Sequence, residues 1–346
     1  MILPEYDNRC GWYELLDTVS ELGELSNDET FDTIVIGSGF VGAAAARRLA
    51  ENSPDGKVLL IDAIKVGQGV SGRNSGFIIE HPHKRDLERD DNQFKRKVMN
   101  LNRTAIDYLE QQVNKYDIDC QWSRAGKFQG AVGKRGEQFL KHYEGLLCKF
   151  GESYERLSKS EIQGIFGTDY YNAAIYTPGG ILMQPAALMR GLADNMPANV
   201  RVAENTPVLE ICRQSNGFTL KTLKAILSCK QIILATSVFT PELGFLKNRI
   251  LPVMTFASMT RPLTDAEMTL YGGKLDWGMT PADHAGTTMR MTQDRRLIIR
   301  NSYRYAPDYN TPAGIIPSIR ARHREGLDRR YPALKNVGIE YTWGGL

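Results

Sequence analysis

The sequence predicts a mixed α/β fold built around a parallel β-sheet, and three observations near the N-terminus support this. A short apolar, β-branched run at 31–36 is typical of a buried parallel strand. Glycines spaced G-x-G-x-x-G follow at Gly37, Gly39 and Gly42, and an alanine-rich helix begins at once. A second apolar run ends in Asp62, about twenty residues after the last glycine. This order of strand, glycines, helix, strand and acid indicates a Rossmann-like unit.

The glycine segment predicts a site for the pyrophosphate of a dinucleotide. Glycines permit a tight turn and a close approach of the backbone to phosphate, and the helix N-terminus supplies unpaired N–H groups. An acid at the end of the second strand lies where ribose hydroxyls are bound. The alternative is a glycine-rich turn that binds no nucleotide. The predicted cofactor-binding residues of this segment are Gly37, Ser38, Gly39, Phe40, Val41, Gly42 and Asp62.

The composition narrows the class of protein. The chain has 346 residues, of which 42% are hydrophobic and 24% charged, and this balance is typical of a globular protein. A formal net charge of +3 gives no indication of a nucleic-acid partner. No apolar run approaches the roughly twenty residues that span a membrane. Glu5 and Asp7 are unlike the start of a secretory leader, so we expect a cytoplasmic protein with no membrane span.

The sequence predicts no metal site. The five cysteines are scattered without a C-x-x-C pair, which favours reduced thiols. His81 and His83 flank a proline and could bind a metal, but no further ligands follow at zinc spacing. A solvated loop is the favoured interpretation.

A second informative segment follows Asp62. Residues 67–77 contain four glycines, two serines, an arginine and an asparagine. A loop so rich in hydrogen-bond donors suits a phosphate or a polar heterocycle. The residues predicted to bind the cofactor here are Ser71, Gly72, Arg73, Asn74, Ser75 and Gly76.

Together these two segments resemble the flavin-dependent D-amino-acid oxidase superfamily, and within it the γ-glutamylputrescine oxidase-like branch. Members of that branch typically read GASGRNGG where this chain has residues 69–76. Residues 179–185, 232–236 and 343–345 resemble further family motifs, so the resemblance spans nearly the whole chain. It implies an α/β fold with an α+β second domain, in which a Rossmann-like FAD-binding domain is joined to an antiparallel-sheet substrate domain.

The resemblance also implies roles for individual residues. It places the backbone of Val208 beside the adenine, and Ala235 and Thr236 beside the pyrophosphate. Arg73 stands where some relatives carry a flavin-linking histidine, so we expect noncovalent FAD. The alternative for Arg73 is a structural arginine that pins the loop. Flavoproteins reduced by NAD(P)H usually show a second glycine fingerprint, and none is identified after Gly42, so we expect electrons to come from the organic substrate.

The remaining pattern divides the chain. We expect an N-terminal leader at 1–30, a discontinuous FAD-binding domain at 31–118 and 150–240, and a substrate domain at 119–149 and 241–346. Helices are predicted at 91–115, 137–150 and 317–330. Strands are predicted at 120–122, 126–132, 208–211, 218–221, 231–234, 253–259, 287–292, 296–299 and 337–342.

The predicted function is an FAD-dependent oxidase or dehydrogenase. It would oxidise a C–N bond of a small-molecule amine or amino acid by hydride transfer to flavin, with oxygen or an unknown electron acceptor, and the imine would then hydrolyse. In the resembling family a glycine-rich segment follows the motif at which this chain ends, so we expect a C-terminally truncated substrate domain and weak FAD binding. The alternatives are an NAD-dependent dehydrogenase and a catalytically silent flavoprotein fragment.

Two arginines are candidates for binding a substrate anion. Arg290 and Arg300 lie on the two strands of a predicted hairpin. A three-residue loop at 293–295 puts them on one face of the sheet, whereas a two-residue loop at 294–295 puts them on opposite faces. On one face they could hold a carboxylate by bidentate hydrogen bonds. The alternative is that one or both face solvent or pair with nearby acids.

Overall fold

A computed structural model of the chain describes residues 1–5, 9–82, 91–283, 285–312 and 314–346. The α-helices in these ranges are α1 Gly11–Glu14, α2 Phe40–Asn52, α3 Val70–Arg73, α4 Asn92–Lys115, α5 Gly133–Phe150, α6 Lys159–Phe166, α7 Pro185–Asp194, α8 Asp265–Tyr271 and α9 Ile315–Arg330. The strands are β1 Glu29–Ile36, β2 Val58–Ile61, β3 Phe77–Ile78, β4 Lys127–Ala131, β5 Glu155–Leu157, β6 Ala173–Thr177, β7 Ile181–Leu182, β8 Val200–Ala203, β9 Glu210–Gln214, β10 Gly217–Lys221, β11 Ile226–Leu234, β12 Val253–Thr260, β13 Trp277–Pro281, β14 Thr288–Met291, β15 Leu297–Tyr305 and β16 Ile339–Gly345. Two 3₁₀-helices cover Ser237–Leu243 and Pro332–Leu334.

The first sheet contains the predicted Rossmann-like unit. Its strand order is β8-β2-β1-β11-β10-β9, and β8, β2, β1 and β11 run parallel. Ile34 and Val35 are both fully buried although they point to opposite faces, because the sheet is covered on both sides. The carboxyl ends of β1, β2 and β11 therefore meet at one edge of the sheet, where such folds bind ligands.

The second sheet is the predicted antiparallel sheet. Its order is β16-β12-β15-β14-β13-β4-β6-β5, and all the neighbouring pairs described are antiparallel except β4 with β13. An aromatic core lies against it, in which the Phe166 ring is 4.8 Å from both the Phe128 and the Trp277 ring centroids. The strands β3 and β7 form a separate two-stranded sheet. The predicted fold class is confirmed.

The sequence placed one strand wrongly. Residues 120–122 form no strand, because Gln121 has a φ of 51°, which breaks an extended run. Only an isolated bridge joins Ser123 to Leu182 nearby. The other predicted helices and strands are present with shifted ends; the helix predicted from residue 137, for example, begins at Gly133.

Sheet membership does not follow the predicted division at residue 150. Strands β5 and β6 lie in the range assigned to the FAD-binding domain, yet both join the second sheet. No strand was predicted there, because four of the five residues of β6 are buried and the strand lacks a polar alternation. We therefore assign 155–177 to the second sheet.

The hairpin between β14 and β15 has a three-residue loop. Arg290 pairs with Ile298 and Thr288 with Arg300, and the Thr292 N–H donates to the Arg296 carbonyl. Arg295, within the loop, has a φ of 66°, the left-handed conformation typical of such loops. This register puts Arg290 and Arg300 on the same face of the sheet.

A buried polar network lies between helix α9 and the second sheet. The two ring nitrogens of His323 lie 2.7 Å from Ser258 Oγ on β12 and 2.9 Å from Asn301 Oδ1 on β15. Burial, assisted by the positive charge of Arg322, lowers the pKa of His323 to about 4. His323 therefore joins two strands as a neutral imidazole.

We predict that this histidine makes the protein less stable in mild acid. The pKa of His323 is about 4 in the folded chain and ordinarily 6.5, so the unfolded chain binds more protons between these pH values. The free energy of unfolding should fall as pH falls from 6.5 to 4, by up to roughly 3 kcal/mol from this group. Urea titrations across this range should show a shallower dependence in His323→Gln than in the unaltered chain. His142→Gln, at an exposed position, serves as the control. If the free energy of unfolding depended equally steeply on pH in both variants, the low pKa assigned to His323 would be contradicted.

Candidate functional site

A cavity of about 320 Å³ lies at the carboxyl edge of the parallel sheet. The turn after β1, the residues after β2 and the residues after β11 contribute to its lining. The predicted cofactor-binding residues that line this first cavity are Gly37, Ser38, Gly39, Phe40, Val41, Asp62, Ser71, Val208, Ala235 and Thr236. The tertiary structure therefore brings together residues from five separate stretches of the sequence, namely 37–41, 62, 71, 208 and 235–236.

Two glycines of the first turn have no room for a side chain. A Cβ on Gly37 would lie 2.6 Å from the Ala235 carbonyl oxygen, and its φ of +102° also favours glycine. A Cβ on Gly42 would lie 1.8 Å from the Gly37 carbonyl oxygen. The turn can therefore pack closely against helix α2, whose first residues Phe40 and Val41 line the first cavity. This geometry fits the pyrophosphate of a dinucleotide.

Asp62 is held at the rim of the same cavity. Its Oδ2 accepts hydrogen bonds from the Ser38 N–H at 2.6 Å and the Ser38 hydroxyl at 2.7 Å, and its Oδ1 accepts from the Ile64 N–H at 3.1 Å. Burial raises the pKa of Asp62, and these hydrogen bonds act in the opposite direction. The carboxylate is thus fixed beside the glycine turn, as a ribose-binding acid requires.

The glycine turn occurs twice. The statement that no second glycine fingerprint follows Gly42 is therefore wrong. Residues 67–72 also have the spacing G-x-G-x-x-G. Gly67 has a φ of +87°, and a Cβ on Gly72 would lie 1.8 Å from the Gly67 carbonyl oxygen, the same close approach as in the first turn. Helix α3 has only four residues, and β3 after it pairs antiparallel with β7. The second turn therefore begins no second Rossmann unit.

The two glycine turns lie side by side. The Phe40 N–H at the start of α2 donates to the Ser71 hydroxyl at 3.0 Å, and a Cβ on Gly39 would lie 2.8 Å from that oxygen. Phe40, Val70 and Ser71 line both the first cavity and a second one of about 1010 Å³. The two cavities thus form adjoining parts of one candidate site.

The second cavity lies between the second glycine turn and the antiparallel sheet. Of the predicted residues, Arg73, Asn74, Ser75 and Arg300 line it, together with Phe40 and Ser71. Residues that the sequence did not identify include Thr255, Ala257 and Thr288 on the sheet. No local motif marks these three residues, because strand pairing over long sequence separations brings them to the site.

Arg73 and Asn74 hold the loop as well as lining the cavity. The Arg73 Nε donates to the Gln68 carbonyl at 2.8 Å, and its Nη1 donates to the Gly344 carbonyl at 2.9 Å. The Asn74 amide donates to the Ser71 carbonyl, and its Oδ1 accepts from the Gly76 N–H. These bonds support the alternative in which Arg73 is a structural arginine that pins the loop. Arg73 nevertheless lies in the wall of the second cavity.

Arg290 does not occupy the predicted place. Its side chain is fully buried, and its Nη1 donates to the carbonyls of Gly76 at 3.1 Å and Met183 at 2.6 Å. Its guanidinium lies 5.1 Å from the Trp12 ring centroid, and burial lowers the pKa of Arg290 to about 10. Arg290 is not among the described residues that line the second cavity. The prediction that both arginines face one cavity is therefore wrong, because of the two only Arg300 is among the described residues that line the second cavity.

Arg300 lines the second cavity as a half-buried cation. Its Nε donates to Thr255 Oγ1 at 3.3 Å, and its guanidinium lies 5.6 Å from the Tyr303 ring centroid. Within the described parts of the chain, no carboxylate pairs with Arg300. Its charge is thus available to an anionic ligand.

One group of side chains in the described residues has the spacing of metal ligands. Glu80, His81 and Glu152 bring ligand atoms within 4.8 Å of one another. Arg103 donates to both carboxylates, and its Nε lies 2.8 Å from Glu80 Oε2, so the acids are already paired with a cation. We assign no metal to this group. His83, the other histidine considered from the sequence, lies outside the described residues.

Comparison with known proteins places the chain in a family. Residues 32–346 match the family described as DAO, FAD dependent oxidoreductase. The chain is 25% identical over 333 residues to the probable oxidoreductase OrdL of Haemophilus influenzae, which covers 93% of this chain and 74% of the relative. It is also 25% identical over 334 residues to the gamma-glutamylputrescine oxidoreductase of Escherichia coli, with the same coverage of 93% and 74%.

Solved structures show the same fold. Glycine oxidase from Geobacillus kaustophilus matches with a TM-score of 0.73 and 18% identity, over 91% of this chain and 82% of that one. L-alpha-glycerophosphate oxidase from Mycoplasma pneumoniae, solved with FAD bound, matches with a TM-score of 0.70 and 16% identity over 91% and 82% of the two chains. Among the described helices, none is long and apolar enough for a membrane crossing.

The family match decides between the cofactors considered from the sequence. It covers both glycine turns and the whole described lining of the second cavity, and it names FAD rather than a nicotinamide. The NAD-dependent alternative is therefore wrong. This chain belongs to the family of FAD-dependent oxidoreductases and is an FAD-dependent enzyme.

Proposed function

We propose that this chain oxidises a C–N bond in a small amine or amino acid that carries an anionic group, and that Arg300 binds that group. The observation that carries the proposal is the position of Arg300, a cation without a carboxylate partner among the described residues, in the wall of the second cavity. The printed names of the relatives, which include a gamma-glutamylputrescine oxidoreductase and a glycine oxidase, support a substrate containing a C–N bond.

We infer that the first cavity holds the adenosine and pyrophosphate of FAD and that the second holds the flavin ring and the substrate. The shared lining residues Phe40, Val70 and Ser71 support this division, because one extended ligand would pass between the two cavities there. The chemistry that FAD held by these residues would supply is oxidation, in which the carbon next to nitrogen would give up a hydride.

The second cavity favours a neutral amine and an anionic side group. Arg47, Arg73 and Arg300 line it, whereas none of its described lining residues is Asp, Glu, His or Lys. A site with this charge repels an ammonium and attracts a carboxylate. The substrate nitrogen would therefore lose its proton to solvent before oxidation. Arg300 would orient the substrate by binding the anionic group at the other end of the substrate. The electron acceptor is oxygen or another oxidant.

We predict that Gly39→Val weakens FAD binding by more than tenfold. A side chain at this position would lie 2.8 Å from Ser71 Oγ, between the two glycine turns, where the cofactor phosphates would approach. The dissociation constant of FAD, measured by quenching of flavin fluorescence, checks this. Gly145→Val, an exposed helix glycine with open space around it, is the matched control. An unchanged constant in Gly39→Val would remove the glycine turn from the FAD site.

We predict that Arg73→Ala weakens FAD binding, whereas Arg73→Lys recovers only part of the loss. The planar guanidinium donates to two separate carbonyls, at Gln68 and Gly344, which a single ammonium does not reproduce. A change in the flavin reduction potential as well as in affinity would indicate that the charge acts on the flavin. If affinity and potential both stayed at their original values, Arg73 would have no role in the site.

We predict that Arg300→Ala lowers kcat/KM by 10- to 100-fold for an acidic amine and leaves its uncharged amide analogue within about twofold, as loss of a charge-assisted hydrogen bond implies. Arg300→Lys should recover part of the loss, because it keeps the charge without the fork. Steady-state rates with both substrates test this. Arg213→Ala, at an exposed position on β9, is the control.

Equal losses on both substrates would contradict anion binding by Arg300. A purified, flavin-loaded chain whose flavin absorbance no amine or amino acid bleaches under anaerobic conditions would instead favour the catalytically silent flavoprotein.

A further inference from the structure

Residues at the start of the chain belong to the wall of the first cavity. Met1, Ile2, Leu3 and Pro4 line it together with the first glycine turn. No recognised motif marks this leader in the sequence. The structure thus adds an apolar segment to a cavity whose other residues were predicted.

A hydrogen bond ties this segment to the body of the protein. The Ile2 N–H donates to Glu242 Oε2 at 2.7 Å. Glu242 belongs to the 3₁₀-helix Ser237–Leu243, which follows β11 and itself lines the first cavity through Ser237, Val238 and Phe239. The segment and the 3₁₀-helix are therefore joined at the cavity they share.

The exposure of apolar side chains points to a ligand at this place. Met1 is 55% exposed, Ile2 38% and Val41 71%, and all three line the first cavity. Leu3 and Pro4 beside them are half-buried. Large apolar side chains grouped around one cavity are typical of a surface that a flat, weakly polar ligand covers. An adenine ring has this character.

The same leader is anchored again further along the chain. The Trp12 Nε1–H donates to the Asn74 carbonyl at 2.8 Å, and the Gln184 amide donates to the Trp12 carbonyl at 2.6 Å. Cys10 Sγ donates to the Gly72 carbonyl at 3.6 Å. The leader therefore contacts the loop that borders both cavities.

We propose that Met1–Pro4, held by Glu242, form an adenine-binding wall of the FAD site. The ligand class is an adenine nucleotide, and the apolar side chains of Ile2 and Leu3 would pack against the ring while the glycine turn binds the phosphates. This inference rests on the proposed location of the adenosine half of FAD in the first cavity.

The test compares FAD with FMN, which lacks the adenosine. Dissociation constants for both are measured on the full chain freed of cofactor, by flavin fluorescence quenching. The double variant Ile2→Ser with Leu3→Ser should bind FAD about tenfold more weakly and FMN with unchanged affinity. Glu242→Ala should have the same selective effect, whereas Glu242→Gln, which keeps an oxygen to accept from the Ile2 N–H, should bind FAD almost normally. Leu101→Ser, at an exposed position on α4 outside both described cavity linings, is the control.

Each outcome decides the point. Unchanged FAD affinity in the double variant, or an equal loss for FMN, would overturn the adenine wall. If a thermal melt showed the double variant to be unfolded, the dissociation constants of FAD and FMN would be compared in Glu242→Ala and Glu242→Gln instead. Equal FAD affinity in these two variants would overturn the adenine wall. Failure of the unaltered chain to bind FAD would contradict the proposed cofactor site itself, and so is distinct from failure of this inference.

Discussion

The structure depends on the absence of a side chain at two pairs of glycines. In each pair, Gly37 with Gly42 and Gly67 with Gly72, a Cβ on the second glycine would lie 1.8 Å from the carbonyl oxygen of the first. No packing adjustment accommodates that distance, because the obstacle is backbone. Each turn therefore closes tightly and starts a helix. The two helix starts meet at the Ser71 hydroxyl, and the two cavities lie on either side of that contact.

A buried cation then holds the second turn against the antiparallel sheet. Arg290 donates to the carbonyls of Gly76 and Met183, and a Cβ on Gly76 would lie 2.0 Å from Arg290 Nη1. Burying a guanidinium is costly unless it is hydrogen-bonded, and the carbonyls and the Trp12 ring compensate part of that cost. The loop is therefore set in position by a strand that lies more than two hundred residues away in the sequence. The same strand pair places Arg300 beside the second cavity.

The charges of the site follow from this arrangement. The described lining of the second cavity includes arginines and no Asp or Glu, whereas the described lining of the first includes Asp62 and Glu242 together with Lys65. A positive field near the reacting atoms suits both an anionic substrate group and the negative charge that a reduced flavin acquires. An acid beside the sugar suits hydroxyl groups. The division of charge thus matches the two halves of the cofactor in the proposed function.

The sequence alone determined the parts of this protein that are local. The first glycine turn, the acid at the end of β2 and the donor-rich loop at 67–77 are contiguous motifs, because the geometry they impose involves neighbouring residues. Helix α4 was predicted for the same reason, since amphipathic spacing is a local property. The tertiary structure alone decided the placement of β5 and β6, the length of the hairpin loop and the separation of Arg290 from Arg300. It also brought Ile2 to Glu242 and Trp12 to Asn74. These contacts join residues far apart in the sequence, and their partners are chosen by strand register and burial, which no short motif records.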